Sequence, residues 1–69
     1  MKILNSIEFG SAIKARRKKL GYKQKDIADF LGLSTSFISN LENGKKTAEL
    51  EKALLVATSL GMDLNLEER

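Results

Sequence analysis

Cysteine and histidine are both absent from this chain. Their absence removes disulfides, zinc sites built on Cys or His, Ser-His-Asp and Cys-His catalysis, and the usual neutral-pH proton shuttle. Proline is missing too, and no stretch is of low complexity or repeats at a fixed period, so no linker marks a second domain. No run approaches the roughly 18 consecutive apolar residues of a membrane span, and Met1 to Asn5 lacks the apolar run of a secretory signal. The expectation is a cytoplasmic protein forming one domain over residues 1–69. A chain of this size is at the margin of what one hydrophobic core supports, so its stability must come from well-packed helices, self-association or both.

What is present is unevenly placed. Residues 1–46 hold ten Lys or Arg against four acids, whereas residues 47–69 hold two against five. A basic front and an acidic rear point to a polyanion on one side of the molecule.

The hydrophobic pattern predicts four helices. Ser6 is the expected N-cap of the first, from about Ile7 to Leu20, with Phe9, Ala12, Ile13 and Leu20 on one face and Gly21 as its stop. The second runs from about Gln24 to Leu31 and carries Ile27, Ala28, Phe30 and Leu31, with Gly32 just past its end. Ser34 then caps a third from about Thr35 to Asn43, where Ile38 and Leu41 point inward and Gly44 ends the segment. Thr47 is the expected cap of a fourth helix reaching Leu60, with Leu50, Ala53, Leu54, Ala57 and Leu60 as its apolar stripe. After Gly61 the period changes. Met62, Leu64 and Leu66 alternate with Asp63, Asn65 and Glu67, which predicts a short β-strand over 62–67. A lone strand leaves its backbone unpaired, and the simplest mate is the same strand of a second copy across a two-fold axis. Leu55, on the outer face of the fourth helix, joins Met62, Leu64 and Leu66 as a candidate dimer contact. The acids are accounted for by helix surfaces and no Gly-rich phosphate loop follows a strand, so no enzyme is expected, and no metal or cofactor.

The most informative stretch is Gln24 to Lys46, two short helices around a glycine turn. Such a turn sets the second helix so that its first residues reach base edges in a major groove. The spacing of Gln24, Ala28, Gly32, Ile38-Ser39 and Leu41-Glu42-Asn43-Gly44 closely resembles the Cro/CI (XRE) family of helix-turn-helix repressors, over about Phe9 to Gly61. The resemblance implies a compact all-α fold and homodimeric binding to a palindromic operator in double-stranded DNA. It implies base contacts from Thr35, Ser36, Ser39 and Asn40, whose hydroxyls and amide suit base edges, and a phosphate contact from Gln24, flanked by Lys23, Asn43, Lys45 and Lys46. It also implies a structural ion pair between Arg17 and Glu42. Arg16 departs from the family, which usually has an apolar residue there; its stem is expected to cover the core while its guanidinium reaches solvent or a phosphate.

The end of the chain, with Leu60, Gly61, Leu64 and Leu66, is similar to that of the HipB-type antitoxins within this family. That likeness implies a HipA-type kinase toxin as a partner and repression of the protein's own operon; the alternatives are a phage-type or general regulator without a toxin, or a protein-interaction module that reuses the fold. Glu67, Glu68 and Arg69 depart from it.

Overall fold

A computed structural model describes residues 2–69; Met1, part of the stretch read above for a secretory signal, lies outside them. Four helices follow in order: α1 (Ser6–Lys19), α2 (Gln24–Leu31), α3 (Thr35–Glu42) and α4 (Leu50–Ser59). None is long and apolar enough to cross a membrane.

Local chemistry sets most of the helix ends. At α1 the cap falls one residue earlier than expected, because the Asn5 side chain accepts from the Glu8 N–H at 2.8 Å. The Glu8 carboxylate in turn accepts from the Leu4 N–H at 2.6 Å. Ser6 is the first helical residue instead, and its hydroxyl donates to the Gly44 carbonyl at 2.9 Å, tying the start of α1 to the end of α3. Asp26 closes the first turn of α2 by accepting from the Lys23 N–H at 2.8 Å. Gly32 then takes φ +69, a left-handed conformation that turns the chain into α3. The Ser34 hydroxyl caps α3 by accepting from the Phe37 N–H at 3.0 Å. α4 begins at Leu50, three residues after Thr47, since Thr47 lies in a turn and the first helical carbonyl is that of Glu49, which accepts from Ala53 at 3.0 Å.

Buried side chains from all four helices meet in one core: Ile13, Ile27, Ala28, Ile38, Leu41, Ala53, Val56, Ala57 and Leu60. Each fully buried aliphatic side chain contributes about 1.5–3 kcal/mol of transfer free energy. On α4 the stripe is rotated from the expected one. Val56 is wholly buried, whereas Leu50 and Leu54 are 70% and 38% exposed. Leu20 and Phe30 also face out, with Phe30 at 81% exposure.

Two helices approach closely at Gly10. A Cβ there would collide with the Leu41 carbonyl oxygen and come within 2.7 Å of the Glu42 oxygen, so the backbone of α1 lies directly on the C-terminal turn of α3. Only glycine permits that crossing.

The expected strand over 62–67 does not form. Gly61 and Met62 close α4 by donating to Thr58 and Ala57, both at 3.0 Å, and beyond them no backbone hydrogen bond engages residues 63–69 among the described residues. A strand exists only as part of a ladder, and among the described residues no backbone pairs with this tail. Met62 packs against the core, while Leu64 and Leu66 are exposed.

Candidate nucleic-acid interface

α3 divides cleanly along its length. Ile38 and Leu41 are buried, while Thr35, Ser36 and Asn40 are exposed and Ser39 is half-buried. Positions 35, 36, 39 and 40 share one face of a helix. Among the described residues no internal hydrogen bond engages any of these four side chains, so their hydroxyls and amide face outward with full bonding capacity. Lys23, Asn43, Lys45 and Lys46 are exposed around the two ends of the same unit. Lys45 is held in place by its backbone, which donates to the Asn40 carbonyl at 3.0 Å.

Behind this face, Arg17 and Glu42 form a two-pronged ion pair from α1 to α3. Arg17 Nε donates to Glu42 Oε2 at 2.6 Å and Nη2 to Oε1 at 2.9 Å, with the two side chains 9% and 1% exposed. A third guanidinium nitrogen, Nη1, donates to the Tyr22 carbonyl at 2.8 Å, which fixes the loop leading into α2. Burial alone would raise the Glu42 pKa. Hydrogen bonds from Arg17 and then Gln24, with the charges of Arg17 and Lys14, outweigh it and hold the carboxyl below its ordinary value. The matching hydrogen bond raises the Arg17 pKa.

Gln24 joins this cluster, although the family resemblance associates it with phosphate. Its side-chain Nε2 donates to Glu42 Oε1 at 3.0 Å. Every buried side-chain nitrogen and oxygen among the described residues has a partner. The recognition unit therefore sits on a fully satisfied polar support.

Arg16, expected to reach outward, instead bends back so that Nε donates to the Leu60 carbonyl at 2.8 Å. Sequence pattern gave no sign of this bond, since its acceptor is a main-chain group 44 residues away. Three of the four suggested dimer residues share one surface feature. Met62, Leu64 and Leu66 line an open cleft of about 980 Å³ with Ile3, Leu4 and Phe9, while Leu55, 44% exposed, is not part of its lining. Among the described residues no group of three or more acids stands close enough to hold a metal ion.

A family profile described as helix-turn-helix matches residues 13–66. The chain belongs to the helix-turn-helix family, of the XRE type. This regulator is 31% identical over 64 residues to an ImmF control region 10 kDa protein of Bacillus phage phi105, covering 93% of the chain and 71% of that protein. It is equally identical, over 65 residues, to an uncharacterized HTH-type transcriptional regulator of Sinorhizobium fredii, covering 94% and 86%. A competence pilus inhibition repressor of Acinetobacter baylyi is 45% identical over 40 residues, covering 58% of this chain and 36% of that one. Among solved structures, HipB in a complex with an O4 20-mer superposes with TM-score 0.90 at 26% identity, covering 99% and 96% of the two chains. A HipA-HipB-O2-O3 complex gives the same values. Family and relatives together make this helix-turn-helix protein a DNA-binding transcription regulator and not an enzyme.

Proposed function

We propose that this regulator acts in the cytoplasm, at the nucleoid, as a homodimeric repressor on a palindromic operator. Thr35, Ser36, Ser39 and Asn40 read bases, and Lys23, Gln24, Asn43, Lys45 and Lys46 hold phosphates. The supporting observation is the outer face of α3, where four small polar side chains without internal partners lie between exposed lysines. Groups of this kind bond base edges, and the lysines supply the salt-dependent attraction to the backbone. The two copies meet through the tail, whose backbone polar groups from 63 to 69 are unengaged in the single chain, with Leu55, Met62, Leu64 and Leu66 in the contact.

The partner on this reading is a HipA-type kinase toxin, with the regulator as its antitoxin repressing their shared operon. The likeness to HipB, including the HipA-HipB-O2-O3 complex, supports it. A phage-type control protein with no kinase is the second reading, favoured by the Bacillus phage phi105 relative. Fluorescence anisotropy with DNA from upstream of the protein's own gene, over a salt series, tests the core of the proposal. A straight, steep fall of log K with log salt is expected, and binding that ignores salt overturns it. Asn40→Ala should cost about 1–3 kcal/mol and relax preference at one base position. Coexpression with the adjacent reading frame separates the two partner readings, since only an antitoxin retains a kinase through purification.

A further inference from the structure

The geometry points to Glu42 as a positioning residue for DNA binding, acting through Gln24. The inference rests on the reading of Gln24 as a phosphate contact and goes beyond the structural role of the Arg17–Glu42 pair.

Glu42 is an acceptor only, and Arg17 pins both of its oxygens. The Gln24 side chain lies 3.0 Å from Oε1 of that carboxylate. Which end of a glutamine amide is nitrogen is commonly ambiguous, but here chemistry settles it. An amide oxygen in that place would face a carboxylate oxygen with no proton between them, so the nitrogen must face Glu42. One of its two N–H groups is used there, and the other has no partner among the described residues. Gln24 is also the first residue of α2 and half-buried, at the edge of the face carrying Lys23 and α3.

A glutamine free in solvent samples many rotamers and both amide flips, and binding a phosphate freezes them at an entropic cost. Held by Glu42, Gln24 has met most of that cost before DNA arrives. The buried ion pair therefore presets a phosphate donor on the surface. Gln24 keeps its bond to Glu42 in the complex and offers its second N–H outward.

The test is a double-mutant cycle on operator affinity. Glu42 and Arg17 are replaced together by Leu and Met, so that no lone charge is left buried, and Gln24→Ala is made in that background and in the parent chain. Gln24→Ala is expected to weaken binding between about threefold and tenfold in the parent, the scale of immobilising one flexible side chain at an interface. It should cost little in the Met/Leu background, where the preset donor is already gone. Equal losses in both backgrounds overturn the coupling while leaving the phosphate contact standing. No loss in either overturns both. A second measurement needs only the parent chain and Gln24→Ala as an assignment aid, so it holds even where the Met/Leu variant does not fold. In NMR spectra the two Gln24 side-chain amide protons should be unequal, one shifted by the carboxylate. Operator DNA should move the second proton and leave the first in place. If the first returns to a solvent-like position on DNA binding, the amide has swung away from Glu42 and the proposal fails.

Discussion

The helix-turn-helix unit and the tail are built on opposite terms. From Gln24 to Glu42, capping groups, a left-handed glycine, a buried ion pair and an amide all find partners inside one chain. From Asp63 to Arg69, no backbone group does among the described residues. The first region is specified by its own contacts. The second carries apolar residues at alternate positions, Leu64 and Leu66, which stand exposed, while Met62 just before it packs against the core.

The comparison breaks most readily at Glu42. Glu42→Ala leaves the Arg17 guanidinium buried and unpaired, and should cost about 3–5 kcal/mol in urea unfolding. A chain of this length has a total stability of only about 3–10 kcal/mol. The same carboxylate gives a pH signature. Its folded pKa lies below its ordinary value near 4.5, so the stability it contributes is fully present above that value and is lost as pH falls through the folded pKa. An acid titration of the midpoint should show that loss in the parent chain and show less of it in the Met/Leu pair variant.

Gly10→Ala comes next. Its methyl meets the carbonyls of Leu41 and Glu42, which are backbone and cannot turn aside, so α1 must shift off α3. A loss of about 1–3 kcal/mol in the urea midpoint analysis is expected. Unchanged stability would mean that the crossing is looser than described. Ser34→Ala removes the cap of α3 and should cost about 1 kcal/mol by the same measurement. Deleting residues 63–69 is the mildest change for a single chain, since no backbone hydrogen bond is lost. The far-UV circular dichroism of the helices should be retained while, on the proposed dimer, the mass in solution falls to that of a monomer. A truncated chain that remains a dimer moves the interface away from the tail.

How far sequence alone carries depends on whether a feature is local. The limits of α2, the turn at Gly32 and the Ser34 cap are legible because residues within a few positions decide them. The orientation of α4 is not. Leu50 and Leu54 flank Ala53 and Ala57 on one side and Val56 flanks them on the other, and the leucines carry more apolar surface. Which flank is covered depends on where the other helices cross, a tertiary fact that places Val56 inside and leaves Leu50 out. Gly10 did carry a signal, a glycine in mid-helix, which commonly marks a close approach. The outer face of α3 was reached through the family resemblance, whereas the bond from Gln24 to Glu42 was not foreseen, because it joins residues 18 positions apart. The alternation after Gly61 was read as a strand since period two is the signature of one, but a signature in one chain does not supply a neighbour.

The bond from Arg16 to the Leu60 carbonyl has a consequence for distance. It anchors the end of α4 to α1, the helix that also carries the Arg17 support of α3. The point from which the tail departs is thereby tied to the helix that supports the reading head. In the proposed dimer the separation of the two reading heads is set where the copies meet, by the tail and the Leu55 contact, as on a pair of dividers. Lengthening the tail by a residue or two would change the span those dividers measure, and with it the half-site spacing an operator must have.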